Sequence, residues 1–404
     1  MNIAIIGAGP AGLCAGRHCL EEKFPFDIFE QTGDVGGTWN YVDSTEDQNG
    51  IPVNSSMYKD LTTNLPKELM AYEDFAYPNY PESYISQKQV LDYIKCYAKK
   101  FRLENHIKFF KRVLNVEPQE DTWLIEFEDV RNKRKEVRCY DAVMVCNGHC
   151  TEAVIPEIPG ISNFQGSVSH SRDYRTYDIY KDKRVLIIGA GTSGCDISGR
   201  IGFVAKKVYV SCKSEPFFPL ANYIHQKPLV TNMDGNMAVF KDGTSAEIDD
   251  ILYCTGYKYN FPFLSSKCGV NVIENYVHPL YKQIVSIEHP TLAFIGLPLL
   301  TCYFPLFDIQ VRFFLSSLSG HYQLPLKKTM LQDLNHAVAK MSSRSIHKYH
   351  VLCEATGDYF EQLATEANIK RISPVITKLL MYVRTHRNIK DRFRIIDDQN
   401  WEKL

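Results

Sequence analysis

The feature that most constrains this chain is a glycine pattern that occurs twice. "NIAIIGAGPAGLCAG" runs from Asn2 to Gly16, and "RVLIIGAGTSGCDIS" runs from Arg184 to Ser198. Each has a short apolar run, then Gly-x-Gly-x-x-Gly, then a helical pattern. In a parallel strand–turn–helix unit the first glycine makes the tight turn, the second lets the backbone approach a pyrophosphate, and the third lets the helix pack on the strand. The helix N-terminus then faces the phosphates. Gly7, Gly9 and Gly12 fill these places in the first copy, with Pro10 and Ala11 between them. Gly189, Gly191 and Gly194 fill them in the second, with Thr192 and Ser193. One such pattern is weak evidence, but two in the same context predict an α/β chain with two Rossmann-like dinucleotide-binding units.

The next strands separate the two units chemically. Glu30 ends "PFDIFE", where a carboxylate accepts hydrogen bonds from ribose hydroxyls, and this suits the unphosphorylated adenosine of FAD. The matching place in the second unit, in "KVYVSCKSE", holds Cys212, followed by Lys213 and Ser214. A cation and a hydroxyl there suit a 2′-phosphate, hence NADPH. "DAVMVCNG" (Asp141 to Gly148) and "DDILYCTG" (Asp249 to Gly256) echo each other, as late strands passing close to a dinucleotide, with Thr255 and Gly256 at the end of the second. The expected organisation is an FAD domain with an NADP domain inserted: residues 1–156, 157–249 and 250–404, the last carrying C-terminal helices. A helix is expected over Gln87 to Phe101, and strands over Val113 to Val116 and Trp123 to Phe127.

Composition narrows the surroundings. Forty-six basic and 47 acidic residues leave a net charge of −1, which argues against nucleic acid as a partner. The apolar stretch Leu292 to Phe307 is short for a membrane span and is broken by Gly296, Pro298 and Pro305. Twelve cysteines include no Cys-x-x-Cys pair; Cys14 and Cys19 diverge around one helix and read as buried thiols. A cytoplasmic protein with no membrane anchor is expected, its oligomeric state left open. The sequon Asn54-Ser55-Ser56 carries no weight without a secretory signal. No catalytic triad or metal-ligand cluster is recognisable, so no metal is expected.

"FQGSVSHSRDY", Phe164 to Tyr174, matches the pattern F-x-G-x-x-x-H-x-x-x-Y of the flavin-containing monooxygenases. "GDVGGTWNY", "LTTNLPKE" and "YCTGY" follow the same family in the same order, so the chain resembles that family over residues 2 to 315. It is short and lacks the family's apolar C-terminal anchor, and is similar to soluble insect members that include pyrrolizidine alkaloid N-oxygenases. The resemblance implies that NADPH reduces FAD, that reduced flavin and O2 form a C4a-hydroperoxide, and that a tertiary amine or sulfide takes the distal oxygen. It further implies that Asn64 is the catalytic side chain beside the flavin, that Gly37, Thr38 and Trp39 lie along FAD, and that Gln310 approaches the cofactors. His170 reads as structural. Tyr174 argues against the Baeyer–Villiger oxygenases, which usually carry Trp there. That ketone reaction, and a non-catalytic FAD/NADP redox sensor, remain the alternatives.

Overall fold

The computed structural model describes residues 1–46, 53, 55–341 and 346–404. Asn54 of the sequon lies outside them. Two sheets organise the chain, the second all parallel and the first parallel except for its edge strands 280–281 and 285–286, which run antiparallel. The first has seven strands in the order 280–281, 285–286, 292–294, 142–145, β1 (Ile3–Ile6), β2 (Phe26–Phe29) and 107–108. The second has five, in the order 225–227, 207–211, 184–188, 250–253 and 167–170.

Both central strands are apolar because both faces are covered. Successive side chains of a strand point to opposite sides. Ile3 and Ile5 therefore enter one core, against the helices α1 (Pro10–Glu21) and α2 (Gln87–Lys100). Ala4 and Ile6 enter another, beneath the antiparallel strands Lys111–Gln119 and Thr122–Asp129. The second unit repeats the division. Val185 and Ile187 pack toward α3 (Thr192–Ile201), and Leu186 and Ile188 toward a small antiparallel sheet. Helix α2 begins where Ser86 and Gln89 close a capping box.

The chain leaves the first sheet after Val145 and turns back only after a strand that the expected boundary put in the first unit. Asp250–Tyr253 pairs with Val185–Ile188 at the middle of the second sheet. The boundary expected at residue 249 is therefore too early, and the return follows Tyr253. Outgoing and returning segments meet as a two-stranded ribbon, Ala153 opposite Tyr257 and Glu152 opposite Lys258.

The apolar stretch from Leu292 becomes a buried strand and the start of α4 (Tyr303–Ser319). Among the described residues no helix is long and apolar enough to cross a membrane. Helices α5 (Lys327–Lys340), α6 (Thr356–Ala367) and α7 (Pro374–Thr385) follow. The chain then ends in a hairpin, Phe393–Ile395 with Trp401–Lys403, that the helical expectation did not include.

Candidate active site

Each glycine motif shows why glycine is required. Gly7 and Gly189 both have φ of +105°, the left-handed side that a Cβ disfavours. A Cβ on Gly7 would lie 2.7 Å from the Cys146 carbonyl oxygen. One on Gly12 would overlap the Gly7 carbonyl oxygen, and one on Gly194 the Gly189 carbonyl oxygen. The third glycine thus sets how closely helix and strand pack. Gly9 and Gly191 stand at the N-caps of α1 and α3, and neither offers a side-chain cap. The first amides of both helices are left to an outside acceptor, which suits an anion such as a pyrophosphate. Thr192 and Ser193 lie half-buried at the N-terminus of α3, while Pro10 and Ala11 open α1.

The echoed aspartates prove structural. Asp141 accepts from the Asn2 amide at 2.6 Å and Asp249 from the Arg184 amide at 2.7 Å. Each ties a late strand to the entry of the motif strand. Five residues later, the carbonyls of Cys146 and Cys254 press against Gly7 and Gly189. Both thiols are held protonated by burial, Cys254 pushed up to about 12. Gly256 keeps φ of +84°, and Thr255 donates its hydroxyl to the Val154 carbonyl.

Glu30, 7% exposed, stands at the end of β2. Its carboxylate accepts from the Ala8 amide and from the amide and hydroxyl of Thr32, each at 2.9 Å. Four lone-pair sites leave room for a ribose hydroxyl. Gly37 lies against Gly9, a Cβ there falling 3.0 Å from the Gly9 Cα. Thr38 meets Ser56 at 3.2 Å. Trp39 is half-buried against the first core. In the second unit Lys213 and Ser214 are exposed just past Lys207–Ser211, and neither bonds to protein among the described residues.

Asn64 lies where one segment joins both units. Upstream, Tyr58 donates to Asp196 on α3, and the Lys59 amide bonds to the Arg175 carbonyl at 2.9 Å. Beside it, the Thr63 amide bonds to Ile85 at 2.9 Å in the first unit. The Asn64 side chain is exposed and makes no hydrogen bond among the described residues, so it is free to donate and to accept. Arg387, which sequence reading missed, donates to the Asn64 carbonyl at 3.4 Å and lies over the Phe218 ring at 4.0 Å.

Two expectations for individual side chains change or sharpen. Gln310 is 0% exposed, accepts from the Gly296 amide and donates to the Tyr359 hydroxyl, both at 2.8 Å. Both ends of its amide are used inside the core. His170 is buried, accepts from the Arg172 amide at 3.0 Å, and burial pulls it below its ordinary value. With Phe164, Gly166 and Tyr174 it packs the second unit and its junction; Gly166 leaves room only for the Asp249 carbonyl.

A further group went unread. Just past the echoed strands, the His149 ring lies 5.8 Å from that of Tyr259 and 5.9 Å from that of Tyr303. Burial pulls His149 down to about 4 and raises Tyr257, Tyr259 and Tyr303. These rings form an uncharged wall past the carboxyl ends of the parallel strands, where open α/β sheets bind their ligands. The signal for His149 and Tyr257 was their place immediately after "CNG" and "CTG".

The flavin-binding monooxygenase-like family matches residues 1–218 and 216–384. A flavin-containing monooxygenase of Arabidopsis thaliana, FMO GS-OX5, is 37% identical over 84% of this chain and 78% of its own. Senecionine N-oxygenase of Tyria jacobaeae is 33% identical over 100% of this chain and 91% of its own. The solved structure of S-allyl-L-cysteine S-oxygenase from Allium sativum is 32% identical, with a TM-score of 0.88 over 96% of this chain and 93% of that one. The two glycine motifs, each behind a parallel strand and each with an uncapped helix, are the framework such enzymes need. With FAD and NADPH as its cofactors, this chain belongs to the flavin-binding monooxygenase-like family.

Proposed function

We propose that this enzyme transfers one atom of O2 to the nitrogen of a tertiary amine. Amine, O2, NADPH and a proton give N-oxide, NADP⁺ and water. The substrate class is a plant alkaloid of the pyrrolizidine kind, and a thioether is the second acceptor. One observation carries the reading: the rings of His149, Tyr259 and Tyr303 gather, with centroids 5.8 and 5.9 Å apart, past the carboxyl ends of the parallel strands. Away from water the neutral amine, whose lone pair is free, is favoured over the ammonium. The relationship to senecionine N-oxygenase over the whole chain supports nitrogen. The S-oxygenase relationship supports the thioether.

FAD reduced by NADPH supplies the electrons that activate O2. The chain places and shields. In this reading the amides at the N-termini of α1 and α3 take the two pyrophosphates, Glu30 takes the FAD ribose, and Lys213 with Ser214 takes the 2′-phosphate. Gly37, Thr38 and Trp39 flank FAD, and Thr255 with Gly256 flanks NADP. Asn64 offers a donor and an acceptor at the junction of the two units, and the ring wall keeps water out.

Purified enzyme with NADPH and a panel of tertiary amines, thioethers and ketones tests this. N-oxide formation coupled to NADPH use is expected. A lactone or ester product from ketones alone would replace this reading with the Baeyer–Villiger one. Reduction of the flavin without any oxygenated product would replace it with the redox sensor.

A further inference from the structure

A second polar centre lies away from the cofactor motifs, in the seam between α1 and α4. Cys14 and His18 stand one helical turn apart on α1 and share a face. Asp308 faces them from α4, 290 residues from His18 in sequence. The Cys14 sulfur, a His18 ring nitrogen and an Asp308 carboxylate oxygen all lie within 4.8 Å of one another. We propose that these three side chains form a binding site for a borderline divalent cation of the Zn²⁺ class, which pins α1 to α4.

The donor set is the first support. Thiolate, imidazole and carboxylate are the ligands of tetrahedral zinc, with the fourth position open to water. The partners around the ligands are the second. A metal-bound histidine usually gives its other ring N–H to a carboxylate. Here His18 Nδ1 lies 3.4 Å from Glu21 Oε2 while Nε2 faces Asp308. Arg312 holds the far carboxylate oxygen, Asp308 Oδ2, with Nε at 2.8 Å and Nη2 at 2.5 Å, leaving Oδ1 to the centre.

A cavity of about 560 Å³ reaches His18 and Asp308 from the surface and gives an ion its path. Its lining carries five carboxylates against three permanently cationic side chains, so it attracts a cation. Ser316, 8% exposed, lines the same cavity with a hydroxyl that has no partner among the described residues. That hydroxyl can bond to a metal-held water.

Loading requires a small rearrangement. His18 Nε2 and Asp308 Oδ1 are 2.6 Å apart, joined by a hydrogen bond. Across a tetrahedral zinc two such atoms stand about 3.4 Å apart. The ring therefore backs away by somewhat less than 1 Å, and the protons of that bond and of the thiol leave to solvent. His18 is eight residues beyond Pro10, or about 12 Å along α1, so the ion braces the helix and takes no part in oxygen transfer.

The test uses the full-length, FAD-loaded protein, stripped of metal by a chelator and titrated with Zn²⁺ and with Co²⁺. One equivalent of Zn²⁺ is expected to bind and to raise Tm. Co²⁺ is expected to give ligand-field bands to the red of the flavin absorption. Cys14→Ser and His18→Gln should weaken binding about 100-fold or more, and Glu21→Gln about 10- to 100-fold. Glu21 is exposed, so its variant decides the matter if the buried substitutions impair folding. No stoichiometric binding, or an affinity unchanged in Glu21→Gln and in any buried variant that folds, would overturn the site.

Discussion

At the scale of single residues, we propose that coenzyme choice rests on Lys213. It is exposed past the second strand of the second unit, with no protein partner among the described residues. A hydrogen bond to a charged group is worth about 1.5–3 kcal/mol. Lys213→Ala should therefore raise the KM for NADPH about 10- to 100-fold and leave NADH little changed. Equal effects on both coenzymes in steady-state assays would remove the assignment. Asn64→Asp takes a donor from the junction and adds a charge. It should still bind FAD and be reduced by NADPH, but release hydrogen peroxide instead of oxygenating amine; a peroxide assay with full coupling would count against it. His149 makes stability depend on pH. Its folded value of about 4 lies below the ordinary one of about 6.5. Between those values the unfolded chain binds more protons, so stability falls as pH falls from about 6.5 to 4, by about 1–3 kcal/mol. His149→Gln should show a shallower loss of Tm over that range, and an unchanged slope would mean that the ring titrates normally.

At the scale of elements, the two strand–turn–helix units respond separately to the same change. A Cβ at Gly12 or Gly194 overlaps a carbonyl oxygen of its own turn. Backbone cannot yield as a flexible side chain can, so each alanine should cost about 1–3 kcal/mol or more. Gly12→Ala should purify with little flavin. Gly194→Ala should keep its yellow colour and lose reduction by NADPH, as seen in flavin absorbance before and after NADPH is added. Loss of FAD from both variants alike would mean that the units do not hold their cofactors independently. The glycines were legible because their requirement is set within each turn and its neighbouring strand. The C-terminal hairpin was not, because its residues become strands by packing: Tyr382 of α7 lies 4.6 Å from Trp401, ring to ring.

At the scale of the whole molecule, two connections and one strap hold the units together. The connections are the paired segments 152–153 and 257–258. The strap is the stretch before Asn64, where Tyr58 bonds to Asp196 and its ring meets Tyr174 edge-on at 5.1 Å. Tyr58→Phe removes the bond across the junction and keeps the ring packing. It should retain FAD and leak more hydrogen peroxide per NADPH than the parent; unchanged coupling would show that this bond does not matter to oxygen transfer. The apolar stretch near residue 300 also resolves at this scale. It is greasy because it supplies a strand buried on both faces, Ala293 in the first core and Leu292 and Phe294 in the second, and the buried face of α4 in the first.

The sequence by itself determined the doubled nucleotide fold, the difference between Glu30 and Lys213, and the late strands that echo each other. Those features are local: a glycine is demanded by atoms a few residues away, and a strand end is marked by its own run. Tertiary structure decided what depends on distant partners. It gave Asp250–Tyr253 to the second sheet, closed Gln310 inside the core between Gly296 and Tyr359, and gathered His149, Tyr259 and Tyr303 into one wall. It also brought Asp308 to Cys14 and His18. Burial and pairing are set by contacts between segments far apart along the chain, and no spacing within one segment records them.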